Sequence, residues 1–285
     1  VTLVPLNGGE PEMILVTGAT GNVGAEVVRA LAAAGESVRA LVRDTESVTL
    51  PDGVEAVAGD LSQPESLAPA LDGAEAMFLL PGYPGVFGVA ERAGVERAAL
   101  LSSPSAQSRD LTNAVARYMV ESEDAAAASA LSTVVIRSSG FMSNTLQWIP
   151  QLHEGDVVRA PFADVPVAMI DPYDIAAVIA LVLVDGDHAG RTYWVTGPEA
   201  LRPEDRVRRL TDILGRPLRF DAQSDDDAWA EMTASMPSEY VEAFFDFYAR
   251  GALDESPVLP TVREVTGREP RTFDAWATMH AGAFG

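Results

Sequence analysis

The 285-residue chain contains no cysteine, which excludes disulfides, thiolate nucleophiles and cysteine metal sites. It contains no lysine either: all 20 basic residues, from Arg29 to Arg271, are arginine. Schiff-base chemistry, a lysine general base and a phosphate-binding P-loop lysine are therefore excluded. Histidine is scarce, with His153, His188 and His280 scattered along the chain, and a lone histidine is more often structural than catalytic. Positive charge is also short, 20 basic residues against 42 acidic for a net charge of −22. That balance disfavours nucleic acid and anionic membrane as partners and reads as a solubility feature. No apolar run reaches the length of a membrane span, and the longest, Ile175 to Val184, reads as a buried helix. Residues 1–12 lack the basic start and apolar core of a signal peptide and read as an N-terminal extension peripheral to the fold. A cytoplasmic location fits this profile. The acidic triplet Asp225-Asp226-Asp227 reads as a solvated helix start, and no metal is expected.

What the chain does have is a 47% hydrophobic composition, enough for one large α/β domain or for a domain with a smaller appended lobe. No internal repeat is present. Near the start, Met13-Ile14-Leu15-Val16 runs into Thr17-Gly18-Ala19-Thr20-Gly21-Asn22-Val23-Gly24 and then an alanine-rich helical pattern. Strand, Gly-x-x-Gly-x-x-Gly and helix in that order form the context of a dinucleotide-binding loop. Gly18 makes the tight turn, Gly21 lets the backbone of Thr20, Asn22 and Val23 approach a pyrophosphate, and Gly24 packs helix on strand. The helix from about Asn22 to Ala34 points its positive end at the phosphates.

Apolar runs then alternate with helical patterns, the signature of parallel strands joined by crossover helices. Strands are expected near Ile14–Thr17, Ser37–Val42, Val54–Ala58, Ala76–Leu80, Ala98–Leu101 and Thr133–Ile136, with a helix over Asn113–Ala130. After Asn144 the texture changes to short apolar segments, helices and proline-bearing loops, which marks a second region. There Asp174 is expected to cap the helix Ile175–Leu183, Thr192–Val195 is a late strand, and Pro203–Leu214 a short helix. The aromatic cluster Tyr240, Phe244, Phe245, Phe247 and Tyr248 reads as core or subunit contact rather than a substrate cage.

In a doubly wound fold the second strand ends at the adenosine ribose, where an acid binds the 2′-hydroxyl and arginine accommodates a 2′-phosphate. Arg43 ends that strand, which favours NADP; the competing reading makes Asp44 the ribose ligand and the cofactor NAD. Asp60 follows the third strand at the carboxyl edge and could accept the adenine amino group, with Leu61 against the ring; alternatively, Asp60 caps the helix beginning near Pro64. Leu80 and Pro81 would form the floor beneath the ribose, and Ser102 ends the fifth strand.

Together these residues resemble the NmrA-like group of atypical short-chain dehydrogenase/reductases, of actinobacterial type. The likeness covers most of the chain: the glycine loop, Val42-Arg43, Gly59-Asp60-Leu61, the passage from Glu121-Ser122-Glu123 to Ile136-Arg137-Ser138-Ser139-Gly140-Phe141-Met142-Ser143-Asn144, and the tail Val265–Phe273. The resemblance implies NAD(P) binding and an α/β, doubly wound parallel Rossmann sheet over residues 13–145. It also implies a smaller, mainly helical C-terminal substrate lobe over 146–285, partly integrated with the sheet. By the same analogy Phe141 and Asn144 line the nicotinamide end. Standard short-chain reductases use a tyrosine proton donor with a lysine four residues on; here those positions are Val115 and Met119. Tyr118, Tyr83 and Ser102 remain as candidate donors.

The expected activity is that of an NADP-dependent oxidoreductase reducing a small carbonyl, enone or quinone-like substrate without the Tyr/Lys pair. The alternatives are a non-catalytic NAD(P)-sensing regulator that binds a protein partner, and a redox-neutral epimerase or dehydratase of secondary metabolism. A small molecule is the expected partner, and a homodimer is one assembly compatible with the aromatic cluster.

Overall fold

A computed structural model describes residues 12–284. The peripheral extension expected at residues 1–12 therefore lies outside the described residues except for Glu12, which ion-pairs with Arg97. The chain divides into two compact units whose segments interleave in sequence. The first comprises residues 12–106, 118–137 and 172–194, and the second residues 107–117, 138–171 and 195–284. A single cut after residue 145 does not follow these contacts.

The first unit is organised on a seven-stranded sheet. Its strands are β1 (Met13–Val16), β2 (Ser37–Val42), β3 (Glu55–Ala58), β4 (Ala76–Leu79), β5 (Arg97–Ser102) and β6 (Ser132–Ser138), with β8 (Thr192–Val195) at the far edge. The strand order is β3-β2-β1-β4-β5-β6-β8. Neighbours pair in parallel, with Val16 opposite both Ala40 and Phe78 and Ser102 opposite Arg137. Hydrogen bonds from Gly190 to Thr133 and from Val135 to Arg191 carry β8 along β6 in the same sense. Helices cover both faces, which is why β4 reads as an uninterrupted apolar run, Ala-Met-Phe-Leu, with every residue buried. This is the doubly wound α/β architecture, and all seven strands of the sheet fall within a residue or two of their expected positions.

The apolar run near Ile175 is indeed a buried helix, Pro172–Val184. It packs along the helix Asn22–Ala34, burying Ile175, Val178, Ile179 and Val182, each such side chain contributing roughly 1.5–3 kcal/mol. It is also the crossover that parallel β8 requires. Asp174 does not cap it. The helix begins at Pro172, whose fixed φ suits a first helical position, so Asp174 lies inside the first turn and is fully buried.

The second unit holds the two-stranded parallel sheet of β7 (Val157–Ala160) and β9 (Arg219–Ala222). Its core gathers Trp148, Leu152, Val158, Leu210, Phe273 and Trp276. Around these pack the helices Pro203–Leu214, as expected to the residue, and Phe273–Met279. Asp225-Asp226-Asp227 opens the helix Asp225–Ser235, capped by Ser224, whose side chain accepts from the Asp227 N–H.

The Ala114–Ala128 helix begins one residue later than expected because Asn113 stands before it as a cap. Asn113 Oδ1 accepts from the N–H groups of Val115 and Ala116 at 3.1 and 3.0 Å, and its amide donates to Ala243 O at 3.3 Å. Asn113→Ala should cost about 1–2 kcal/mol, read as a lower midpoint in urea unfolding. Asn113→Asp, which keeps the cap oxygen, should lose less. Equal losses for the two variants would contradict this role for the cap.

Candidate functional site

In open α/β sheets ligands gather outside the carboxyl ends of the strands, at the point where strand order reverses. In the first unit that point lies between β1 and β4. The turn leaving β1 has Gly18 at φ +59°, and a Cβ there would stand 2.6 Å from Leu80 Cδ1. A Cβ on Gly24 would stand 2.1 Å from the Gly18 carbonyl oxygen, so only glycine lets the helix start this close to the turn. Gly21 donates to the same carbonyl at 2.9 Å and is the first residue outside the helix. No side chain caps this 13-residue helix and no acid lies in its first turn. Thr20, Gly21 and Asn22 are exposed, while Val23 and Gly24 are buried against the sheet. The arrangement offers backbone donors and a positive helix end to an anion.

The neighbouring strand ends complete the edge. Leu80 donates its N–H to Thr17 Oγ1 at 3.1 Å, which ties the end of β4 to the end of β1; Leu80 and Pro81 are half-buried there. Beyond the Val42–Ala58 pair, Arg43 is exposed and Asp60 is close enough for the Arg43 charge to act on it. The Asp60 carboxyl is held below its usual range chiefly by hydrogen bonds from the Ser62 hydroxyl and N–H, at 2.8 and 2.9 Å. Those bonds use Oδ1 and fix the turn into the short helix Pro64–Leu67, while Oδ2 takes only a 3.4 Å bond from Gln63. Asp60 is thus a turn residue with one oxygen largely available. Leu61 packs on the core beside it.

The three candidate proton donors have different surroundings. Ser102 is 3% exposed and donates its hydroxyl to Glu123 Oε1 at 2.6 Å. Glu123 in turn is gripped by Arg137 at 3.0 and 2.7 Å. The serine proton is therefore committed to a paired carboxylate. Tyr83 packs its ring on the core of the first unit. Tyr118 is half-buried, with its ring beside Gly82, and Ser122 links the same loop to its helix by accepting from the Gly82 N–H at 2.8 Å and donating to the Tyr118 carbonyl at 2.7 Å. Phe141 belongs to the second unit, where it bridges to Ile170.

The second unit contains a cavity of about 600 Å³, lined entirely by that unit's own residues. Trp148, Phe162, Met169, Phe244 and Tyr248 supply apolar and aromatic wall. Phe162 holds a left-handed φ of +56°, a conformation that costs a non-glycine residue about 1–2 kcal/mol; its ring packs against Phe245 and Tyr248 at 5.2 and 5.3 Å. The aromatic cluster is thereby divided: Phe245 and Phe247 are buried core, whereas Phe244 and Tyr248 face the cavity.

Tyr248 donates to Glu255 Oε2 at 2.7 Å, and the Gly140 N–H donates to Oε1 at 3.1 Å. Burial pushes both acidic groups up, the tyrosine further by its proximity to Glu255. Arg206, 9% exposed, stacks its guanidinium 4.6 Å over the Trp148 ring and donates to Thr145 Oγ1 at 3.3 Å. Burial lowers its pKa to about 10, so it remains a cation at neutral pH. Arg206, Tyr248 and Glu255 escaped the sequence reading as site residues. For Arg206 a signal existed, since it shares the buried stripe of its helix with Pro203, Val207 and Leu210. Among the described residues no group of side chains could hold a metal ion, and no helix is long and apolar enough to cross a membrane.

The NmrA-like family model matches residues 10–98. A (4-alkanoyl-5-oxo-2,5-dihydrofuran-3-yl)methyl phosphate reductase of Streptomyces griseus is 41% identical over 95% of this chain and 99% of its own. The chain belongs to the NmrA-like family. A second relative of this NmrA-like protein, the NAD(P)H azoreductase of Xenophilus azovorans, is 34% identical over 96% of this chain and 99% of its own. Among solved structures, an NADPH-dependent quinone oxidoreductase of Escherichia coli superposes with a TM-score of 0.80 at 23% identity, covering 95% of this chain and all of that one, a likeness of fold.

The buried Glu255 gives the second unit a pH signature. Because its carboxyl titrates above the ordinary value of 4.5 in the folded state, the folded protein holds that proton more tightly than the unfolded chain. Its contribution to stability is full below pH 4.5 and is lost as pH rises through the raised value. Glu255→Gln should flatten this part of the profile, so that the difference in melting temperature between variant and wild type shifts in the variant's favour as pH rises from 4.5 to 7. Parallel profiles over that range would exclude the assignment.

Proposed function

We propose that this NmrA-like protein is an NADP-dependent oxidoreductase that reduces a small carbonyl, enone or quinone-like acceptor. The observation that carries the reading is the glycine cradle, where a Cβ on Gly18 or Gly24 would collide with Leu80 or with backbone, together with the exposed guanidinium of Arg43 at the end of β2. These residues fit a dinucleotide: backbone around Thr20 to Gly24 for the diphosphate, Arg43 for a 2′-phosphate, Asp60 Oδ2 for the adenine amino group, and Leu80 and Pro81 beneath the ribose. NADPH, when bound, supplies the hydride. The relatives support the same class, since both are named as reductases and one as using NAD(P)H.

The second unit's cavity supports the acceptor side. Its volume suits a small organic molecule, and its aromatic wall suits a flat conjugated one. The named acceptor of the Streptomyces griseus relative is an alkanoyl-substituted oxo-dihydrofuran carrying a methyl phosphate; an activated acceptor of this kind falls within the proposed class. A conjugated enone or quinone can take its proton from water, so the chemistry does not depend on the tyrosine and lysine replaced here by Val115 and Met119. Of the three candidate donors, Ser102 is the least suited, because its proton already serves Glu123. Of the other two we favour Tyr118, whose ring lies beside Gly82.

The cofactor assignment is tested by titrating the protein with NADPH and with NADH, following nicotinamide fluorescence. Loss of a charge-assisted contact in Arg43→Ala should weaken NADPH binding about ten- to hundredfold and leave NADH nearly unchanged. Wild-type protein that binds NADH as tightly as NADPH, or an unchanged NADPH affinity in the variant, would transfer the ribose role to Asp44.

A further inference from the structure

Arg206 is the one arginine in the buried class among the described residues, and no carboxylate answers it. In a chain with 42 acids and 20 arginines that is a costly omission, because a desolvated cation ordinarily takes a paired acid. Three less buried arginines of the second unit do have acids: Arg209 bonds both Glu199 and Asp274, Arg271 bonds Asp171, and Arg159, which also lines the cavity, pairs with Asp221. Arg206 instead has the Trp148 face and the Thr145 hydroxyl, and its Nε is buried with no hydrogen-bond partner. The Ser143 hydroxyl, in a residue 8% exposed, is likewise buried without a partner. Both residues line the same cavity. Two buried groups with unused donor capacity, one carrying full positive charge, are complementary to an oxyanion and to no neutral group as well. The acidic side chain on the cavity wall, Glu231, is exposed and engaged by Gln223 at 2.6 Å, so it leaves the Arg206 charge uncompensated.

We propose that Arg206 and Ser143 form an oxyanion subsite in this cavity, which binds the acceptor substrate through a phosphate monoester or carboxylate group while the aromatic wall takes its apolar body. The identification of the ligand as the acceptor rests on the reductase reading given above; the subsite itself does not. The guanidinium fork and the serine hydroxyl donate to the oxyanion, and Trp148 and Thr145 hold the fork in place. The subsite positions and selects the acceptor, and takes no part in bond making.

Calorimetric titration of the full chain, without nucleotide, tests this with benzyl phosphate, phenylacetate and benzyl alcohol, three probes sharing an aromatic body. The wild type should bind at least one of the two anions roughly ten- to hundredfold more tightly than the alcohol; which anion binds identifies the source of the oxyanion. Arg206→Met, which keeps the side-chain bulk, should abolish that preference and leave alcohol binding unchanged. Ser143→Ala should reduce anion affinity several-fold and serves as the second variant if Arg206→Met does not fold. Wild-type protein that binds the alcohol as tightly as both anions, or an Arg206→Met variant that keeps the anion preference, would overturn the subsite. Because the titration requires neither NADPH nor turnover, anion binding combined with background NADPH oxidation across a separate panel of carbonyl, enone and quinone acceptors would refute the reductase reading alone.

Discussion

The steric contact between the turn at Gly18 and the helix that begins at Asn22 is the constraint on which the first unit depends. With a Cβ at position 24 only 2.1 Å from the Gly18 carbonyl, the helix can begin where it does only because that carbon is missing. The contact sets the helix end at the carboxyl edge of β1, leaves its first turn free of acids and side-chain caps, and gives the Leu80 side chain its place against the turn. The rest of the edge is hung from the same point: Thr17 ties β1 to Leu80, and the order reversal between β1 and β4 opens the crevice that the loop overlooks. Under the proposed function this geometry serves as a nucleotide-binding edge, which Arg43 and Asp60 at the ends of β2 and β3 would extend toward an adenosine 2′-phosphate and base.

Charge governs the second unit in a different way. Its acids are plentiful, and exposed pairs such as Arg159–Asp221 contribute little to stability. The buried groups are the informative ones. Glu255 is satisfied by the Gly140 N–H and the Tyr248 hydroxyl, which makes it a local tie between segments 115 residues apart in the chain. Arg206, by contrast, is held in place by an aromatic face and a hydroxyl, and its Nε has no hydrogen-bond partner. One buried group completes a structure, and the other is the basis of the proposed oxyanion subsite.

Much of the first unit was legible in the sequence because its signals are local. Buried parallel strands require uninterrupted apolar runs, so Ile14 to Val16 and Ala76 to Leu79 announced themselves, and the glycine spacing named its own turn. The helix Pro203–Leu214 was legible through its proline start and glycine end. Asp174 was misplaced because Pro172, already suited to a first helical position, moves the helix start upstream of it. The interleaving of the two units was hidden, since it depends on where the crossover helix Pro172–Val184 packs. Glu255 lies in an irregular stretch with no periodicity to mark it, and its partners are distant in sequence. Phe244 and Tyr248 could not be separated from Phe245 and Phe247 by spacing alone. Arg206 is legible in principle, as a charge phased with the apolar stripe of its helix.

The absent tyrosine and lysine leave hydride transfer as the central claim, and isotope tracking addresses it most directly. NADPH dideuterated at the nicotinamide C4, supplied with a panel of carbonyl, enone and quinone acceptors that includes phosphate monoesters, should leave one carbon-bound deuterium in each reduced carbonyl or enone, with NADPH consumed in equal amount; a quinone should consume NADPH without retaining the label. NADPH consumption at background across the panel would contradict the account. So would product formed without loss of NADPH, which would move the protein to redox-neutral chemistry.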